Sequence, residues 1–240
     1  MLPGAFIDFF FPPRCPLCGK SREADADGPC PQCLALLPPM GRPRCPRCGL
    51  SFASSAGEDH LCSVCLSQER HFSLARAVTP YKGLITEAIA RFKYRGATGL
   101  GRPLGALLAR YDDPEFPLHP FHLILPVPLH PQRLRRRGFN QSLLLARRVG
   151  RAHGIPVNFA SLLRIRPTLP QVELSGPRRE KNIRGAFAVP DPGAVRGRRL
   201  LLIDDVFTTG ATVSECARVL LGAGADRVDV LTLARTLTAS

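Results

Sequence analysis

Two adjacent acids before a hydroxyl- and glycine-rich loop are the residues of this chain best suited to chemistry. The apolar run Leu200–Ile203, which shows no alternation, predicts a buried central strand of a parallel sheet. Asp204 and Asp205 follow it, and paired carboxylates there can accept hydrogen bonds from two vicinal hydroxyls. The next residues lead into the helical pattern Val213–Leu221, so their N–H groups can wrap a phosphate at a helix N-terminus. The sequence therefore predicts a ribose 5-phosphate site, whose phosphate would be held by Val206, Phe207, Thr208, Thr209, Gly210, Ala211 and Thr212.

This stretch resembles the motif that binds phosphoribosyl pyrophosphate (PRPP) in type I phosphoribosyltransferases. That motif has four apolar residues, two acids, two apolar residues, and a loop rich in Thr and Gly that ends in Thr. Each class is met here, with Phe207 a bulkier apolar choice. Incidental acids before an N-capped helix are the alternative, and they account for fewer of the constraints.

Eight of the nine cysteines form four Cys-x-x-Cys pairs within the first 65 residues. This spacing is typical of metal sites rather than disulfides and indicates a reducing compartment. The region is also duplicated, because Pro13–Gly19 matches Pro43–Gly49 and Cys30–Leu34 matches Cys62–Leu66. The ligands are predicted to be Cys15, Cys18, Cys30, Cys33, Cys45, Cys48, Cys62 and Cys65.

The duplication favours two zinc ions, one for the first four cysteines and one for the last four, although interleaved pairing remains possible. Redox pairs and an iron–sulfur cluster are the alternatives to zinc. Four thiolates leave no open coordination position, so the zinc is predicted to be structural. His60 lies close to Cys62, but with eight cysteines available we expect it to face solvent. The ninth cysteine, Cys216, has the spacing of a core residue in a helix.

A basic stretch follows the predicted strand Phe121–Pro128. At the carboxyl end of a parallel strand it is placed to bind an anion such as pyrophosphate, although a solvated basic turn is the alternative. Asn140 and Gln141, which precede a predicted helix over Ser142–His153, suit either a cap or a substrate contact. The predicted pyrophosphate loop comprises Leu129, His130, Arg133, Arg135, Arg136 and Arg137.

A long, polar and basic connection separates a predicted strand over Phe159–Arg166 from its returning partner, Gly185–Val189. Such a segment suits a lid that closes on an anionic substrate, with plain disorder as the alternative. The residues assigned to this flexible lid are Gln171, Arg178, Arg179, Lys181, Asn182 and Arg184.

Further elements complete an α/β pattern. Strands are predicted over Phe72–Tyr81 and Arg227–Ala234, and helices over Leu84–Tyr94 and Leu100–Tyr111. The chain divides into residues 1–70, an N-terminal apolar segment with the cysteine pairs, and residues 71–240, the α/β domain.

The charge is strongly basic, with 33 Lys and Arg against 19 Asp and Glu in 240 residues. A net charge of +14 favours polyanionic partners, although surface arginines alone could account for it. No apolar run is long enough to span a membrane, and Ala5–Phe11 is a poor signal peptide because it is short and holds Asp8.

In this order the chain resembles the ComF family of competence proteins, in which a double zinc ribbon precedes a type I phosphoribosyltransferase domain. The resemblance covers nearly the whole chain. Its most specific parts are the cysteine pairs, Phe92–Gly96, Pro126–Gln141, Asn182–Phe187 and Asp204–Thr212. A related branch of the family is named for gluconate utilisation (GntX-type), and the sequence does not separate the two branches.

The resemblance implies a cytoplasmic phosphoribosyltransferase that binds PRPP with Mg2+ and releases pyrophosphate on transfer to an acceptor that the sequence does not identify. Asp204 and Asp205 would be the catalytic acids. It also implies single-stranded DNA and proteins of the competence machinery as partners. The alternative is a non-catalytic regulatory module on the same fold that binds PRPP and nucleic acid.

Overall fold

The computed structural model describes residues 14–21, 28–54, 56–94, 96–168 and 181–237. The helices, in chain order, are α1 Pro31–Ala35, α2 Ser63–Ser67, α3 Leu84–Tyr94, α4 Gly101–Ala109, α5 Pro131–Arg137, α6 Gln141–His153 and α7 Ala211–Gly222. The strands are β1 Ala75–Pro80, β2 Leu123–Pro126, β3 Leu163–Arg164, β4 Phe187–Ala188, β5 Arg199–Phe207 and β6 Arg227–Arg235. Short 3-10 turns cover Thr98–Leu100 and Pro192–Ala194. In the described part of the chain, no helix is both long and apolar enough to cross a lipid bilayer.

The main sheet has four parallel strands in the order β1-β6-β5-β2. Strand β5 is central, as the unbroken apolar run predicts, and both of its faces are covered. Leu200 and Leu202 pack with α7 on one face, whereas Leu201 and Ile203 pack with α3, α4 and α6 on the other. Each of these side chains is fully buried, which contributes about 1.5–3 kcal/mol per residue relative to exposure.

All four strands end at one edge of this sheet because they are parallel. The segments that follow β2 and β5 therefore lie side by side. Pro126, the last residue of β2, pairs with Ile203, so Asp204 is the first residue of β5 beyond the end of β2, although it still pairs with Thr232 of β6. The open α/β domain predicted from the sequence is confirmed.

The smaller sheet pairs β3 with β4 in antiparallel register, Leu163 opposite Ala188. The predicted strand over Phe159–Arg166 is wrong in extent, since only two residues are paired. Before β3, the Asn158 side chain accepts hydrogen bonds from the amides of Ala160 and Ser161, at 2.8 and 3.0 Å. This local bonding offers the backbone an alternative to the strand ladder.

The two cysteine-rich ribbons pack on opposite faces of the main sheet. Cys15 and Cys33 join the core beside α3, whereas the second set of four cysteines joins the core beside α7. The second ribbon also covers the open side of β1, where Ala75 N donates to Arg47 O at 2.8 Å. Covering an edge strand satisfies backbone groups that would otherwise be exposed for pairing.

Candidate functional site

The carboxylate pair lies at the end of β5 and is held from two helices. Ser142 Oγ, at the start of α6, donates to Asp204 Oδ1 at 2.9 Å. Lys93 Nζ, in the last turn of α3, lies 2.7 Å from Asp205 Oδ1. The backbone N–H of Asp205 also donates to Asp204 Oδ1, at 2.9 Å. The two predicted acids therefore have fixed and different partners.

These contacts set the charge of the pair. Burial, and then the charge of Asp205, raise the pKa of Asp204 to about 7, against the opposing influence of Lys93. For Lys93, burial disfavours the ammonium, but the charge and hydrogen bond of Asp205 prevail and raise its pKa. The ammonium is therefore a permanent cation in the site, while Asp204 is the acid whose charge is adjustable near neutral pH.

The loop after β5 is a tight turn built on one aromatic ring. Gly210 has φ of 78°, and a Cβ added there would lie 2.4 Å from Cζ of Phe207. Only glycine suits this position, both for its positive φ and for the close approach of the ring. Two carbonyl oxygens that flank the turn accept backbone hydrogen bonds. Thr236 N donates to Phe207 O at 3.0 Å, and Ser214 N donates to Gly210 O at 2.9 Å.

Helix α7 begins directly after this turn, with Gly210 as its N-cap. The first N–H groups of a helix lack intrahelical partners, and a helix N-terminus is for this reason a common binding site for anions. Gly210 has no side chain to cap the helix. The Thr209 hydroxyl, one residue earlier, instead accepts a hydrogen bond from the Ala211 amide at 3.4 Å. The structure thus places Val206 and Phe207 at the end of β5, Thr208, Thr209 and Gly210 in the turn, and Ala211 and Thr212 in the first turn of α7.

The predicted pyrophosphate loop is wrong in conformation, because residues 131–137 form the helix α5. Pro131 suits the first turn, the His130 ring accepts from the Gln132 amide at 3.4 Å, and Gly138 ends the helix with φ of 81°. These are ordinary start and stop signals. The arginines are thus carried on a helix with two faces.

The helical spacing divides the four arginines. Arg135 and Arg136 are exposed, whereas Arg133 and Arg137, one turn apart, are half-buried. Arg137 donates to Gln141 Oε1 at 2.7 Å and lies 5.5 Å from the ring centroid of Tyr94. Burial lowers its pKa, with Asp205 the main opposing charge. Arg137 is therefore a half-buried cation on which the charge of Asp205 acts. Leu129 and His130 are half-buried at the start of the same segment.

Asn140 is a helix cap. Its Oδ1 accepts from Ser142 N at 3.0 Å while its Nδ2 donates to Val127 O at 3.1 Å, so both ends of the amide are engaged. Gln141 is buried and receives Arg137. The capping alternative is therefore the one that the contacts support for Asn140, and the cap places Ser142 against Asp204.

The predicted lid falls partly outside the described residues, where Gln171, Arg178 and Arg179 lie. Of its described residues, Lys181 and Arg184 are exposed. The carbonyl oxygens of Asn182 and Arg184 accept from Nη2 of Arg166, at 2.9 and 2.7 Å. This anchors the chain just before β4.

Three residues of the site were not predicted as such: Lys93, Ser142 and Arg164. Arg164 is buried in β3, lies 5.4 Å from the Phe187 ring centroid and donates to Thr168 Oγ1. Burial and then Arg133 lower its pKa, against Cys216 and Asp204. Arg164 is therefore a buried cation on which the charge of Asp204 acts. The signal that the sequence offers is a basic residue between the apolar Leu163 and Ile165.

The cysteines form two clusters in the sequential pairing: Cys15, Cys18, Cys30 and Cys33 in one, Cys45, Cys48, Cys62 and Cys65 in the other. In each, the sulfur atoms lie within 4.8 Å of one another. Zinc–sulfur bonds of about 2.3 Å in a tetrahedron place sulfurs about 3.8 Å apart. The Cys18–Cys30 and Cys48–Cys62 separations, 3.9 and 3.6 Å, fit this.

Each cluster is a closed four-thiolate site, which suits structural zinc. Backbone amides support the sulfurs, as where Cys30 N donates to Cys15 Sγ at 3.3 Å. His60 is exposed and stacks on Phe52 at 4.0 Å instead of joining a cluster, as expected. Cys216 is fully buried in the core, also as expected, and burial raises the pKa of its thiol.

The sheet order, the acids at the end of β5 and the turn at α7 define a protein of type I phosphoribosyltransferase fold that carries a double zinc ribbon. Residues 6–67 match the double zinc ribbon domain family. The chain is 32% identical over 231 residues to the DNA utilization protein YhgH of Escherichia coli K12, covering 93% of this chain and 90% of YhgH. It is 33% identical over 178 residues to competence protein F of Haemophilus influenzae, covering 72% and 78%. The chain belongs to the ComF family.

Among solved structures, the Bacillus subtilis glutamine PRPP amidotransferase is similar over 54% of this chain and 25% of its own, with 24% identity and a TM-score of 0.36. A purine phosphoribosyltransferase from Pyrococcus horikoshii is similar over 56% and 79%, with 16% identity and a TM-score of 0.33.

Proposed function

We propose that this protein binds PRPP and transfers its 5-phosphoribosyl group to an acceptor, releasing pyrophosphate. The observation that carries the proposal is the juxtaposition of the Asp204 and Asp205 carboxylates with the turn at Gly210. The carboxylates would accept hydrogen bonds from the ribose hydroxyls, and the N–H groups at the start of α7 would bind the 5-phosphate.

The cations around the acids suit the other end of PRPP. Arg133 and Arg137 on α5 would bind the pyrophosphate, which is the leaving group when the bond at the anomeric carbon breaks. The positive charge that develops on the ribose ring would be stabilised by Asp204, which Ser142 and the Asp205 amide hold in place. The lid residues described above would then exclude water.

Mg2+ would bind the oxygens of PRPP rather than a cage of protein carboxylates, because Lys93 engages Asp205 and Ser142 engages Asp204. When bound, it would neutralise the pyrophosphate as that group leaves. Zinc, by contrast, is assigned to the two cysteine clusters, away from the reacting atoms.

The second candidate is a non-catalytic module that binds PRPP and nucleic acid, and one observation favours it. Arg135 and Arg136 are exposed on α5, unlike the half-buried Arg133 and Arg137. With a net charge of +14, this face suits a phosphate backbone, and the names of the relatives concern DNA utilization and competence. For either candidate function, the proposed partners are single-stranded DNA and proteins of the competence machinery, and the proposed location is the cytoplasm.

Binding calorimetry with PRPP and Mg2+ tests the donor site. The double variant Asp204→Asn with Asp205→Asn should lose measurable affinity, whereas the control Asp226→Asn, an exposed acid in the same domain, should bind as the wild type does. Equal binding by the double variant would refute the proposed site.

Pyrophosphate release then separates the two candidates. Incubation with PRPP and panels of nucleobases, amines and single-stranded nucleic acids should give turnover with at least one acceptor. No turnover across all panels, together with salt-dependent DNA binding that the double variant retains, would favour the non-catalytic module.

A further inference from the structure

Arg235, the last residue of β6, is a buried cation between the second cysteine cluster and the turn at Gly210. It is 5% exposed. A guanidinium removed from water needs a compensating charge, since an unpaired buried charge is strongly destabilising. The groups in contact with Arg235 must therefore supply this compensating charge.

The polar partner of Arg235 is a cysteine sulfur. Nη2 donates to Cys48 Sγ at 3.3 Å, while Nε and Nη1 have no hydrogen-bond partner in the described part of the chain. Zinc bound by four thiolates carries a net negative charge, so the occupied cluster supplies the counter-charge that this guanidinium requires.

The other side of the guanidinium lies on the aromatic ring that supports the phosphate turn. Its central carbon is 4.2 Å from the ring centroid of Phe207, and Phe72 meets the same ring edge-on at 5.8 Å. A cation over an aromatic face is attractive, more so when both are desolvated. Because the Phe207 ring lies so close to Gly210, a shift of the ring changes the turn that starts α7.

We propose that Arg235 is a positioning residue that couples the second zinc site to the 5-phosphate site. The zinc-thiolate cluster holds the guanidinium, the guanidinium holds the Phe207 ring, and the ring sets the turn at Gly210. This rests on the proposed function, because it concerns how the 5-phosphate of PRPP is bound.

The first cluster makes no equivalent contact among the described residues. Its ribbon lies on the opposite face of the sheet, where Arg91 Nη1 donates to Pro16 O at 3.3 Å. Arg91 is thus an arginine that contacts a ribbon without touching the turn, and Arg91→Met is a matched control.

The test is calorimetry with ribose 5-phosphate and, separately, with pyrophosphate. Arg235→Met should weaken ribose 5-phosphate binding about tenfold, because only this ligand places a phosphate in the turn, and should change pyrophosphate affinity less than twofold. Arg235→Lys, which keeps a charge but not the planar group, should recover part of the loss. Arg91→Met should bind both ligands as the wild type does.

A spectroscopic measurement reports on the metal directly. With Co2+ in place of zinc, ribose 5-phosphate should alter the thiolate-to-cobalt absorption of the wild type, since coupling is reciprocal, and should not alter that of Arg235→Lys to the same extent. This comparison decides the matter even if Arg235→Met does not fold.

The outcomes are distinguishable. Wild-type affinity for ribose 5-phosphate in Arg235→Met, or an absorption spectrum that ribose 5-phosphate leaves unchanged, would overturn the coupling and leave the proposed function standing. A wild-type protein that binds neither PRPP nor ribose 5-phosphate would overturn the proposed function, and the coupling with it.

Discussion

The two acids at the end of β5 look alike in the sequence but differ in environment. Asp205 forms an ion pair with Lys93 at 2.7 Å, whereas Asp204 accepts hydrogen bonds from a hydroxyl and an amide. Burial raises the pKa of Asp204, and the charge of Asp205 beside it raises that pKa further. The ionised form of Asp204 therefore lowers the stability of the fold, which is common for residues at binding sites.

Replacing Asp204 by Asn should stabilise the protein increasingly as the pH rises. A pKa near 7 in the folded protein, against 3.8 for the ordinary residue, means that stability is lost as the pH rises and that the loss is complete above about 7. The gain in unfolding free energy should be about 2 kcal/mol larger at pH 8 than at pH 5.5. Urea unfolding at the two pH values measures it, and a gain independent of pH would contradict this account.

At the scale of elements, the turn between β5 and α7 depends on one glycine. Gly210→Ala should lower the unfolding free energy by about 1–3 kcal/mol and weaken ribose 5-phosphate binding, because the new Cβ meets the Phe207 ring at a positive φ. Gly222, at the other end of α7, has open space around it, so Gly222→Ala should leave binding unchanged and stability unchanged or higher by up to about 1 kcal/mol.

Urea unfolding and calorimetry on both glycine variants measure these effects. Normal binding by Gly210→Ala would show that the turn does not set the phosphate site. Equal losses in the two variants would instead point to a general effect on α7.

Local signals predicted most elements because each pattern reports on its own segment. Leu84–Tyr94 matches α3 exactly, and the apolar run in β5 indicated its central position. The conformation of α5 was also within reach, since Pro131 and Gly138 are helix signals. The density of arginine there had favoured a loop interpretation.

The partners of the acids were out of reach for a different reason. Ser142 and Asp204 are 62 positions apart, and Lys93 and Asp205 are farther still. The packing of α3 and α6 on the sheet determines which of their residues contact the end of β5. No local sequence pattern carries this information. The grouping of the cysteines into two clusters, by contrast, could be predicted, because the duplicated sequence favours one metal site in each repeat.

At the scale of the whole molecule, a buried charge network joins the second ribbon to the sheet. Arg44 of that ribbon and Arg76 of β1 both reach Asp113, with Nη2 of Arg44 2.8 Å and Nε of Arg76 3.4 Å from Oδ2. All three are buried. Tyr111 OH donates to the same oxygen at 2.9 Å.

Arg44→Met should destabilise the protein by about 3 kcal/mol, because Asp113 stays buried with Arg76 as its remaining cation. The neighbouring Arg42 bonds Asp59 at 2.6 Å, but its side chain is 53% exposed. Arg42→Met should therefore change stability little, since solvent screens exposed pairs. Urea unfolding compares them, and a loss in Arg42→Met as large as that in Arg44→Met would rule out burial as the cause.

The two zinc sites should differ in how far the fold depends on them. Cys18 is exposed, whereas Cys62 is 4% exposed and belongs to the cluster that packs with α7 and receives Arg235. Cys18→Ser should reduce the zinc content by about one ion while the sheet stays folded, because its cluster can open to solvent. Cys62→Ser should in addition lower the unfolding free energy by more than about 4 kcal/mol, since it disturbs the core and leaves the Arg235 charge uncompensated. Metal analysis measures the zinc content, and urea unfolding followed by far-ultraviolet circular dichroism measures the free energy of unfolding. Equal losses of stability in the two variants would contradict an unequal role for the ribbons.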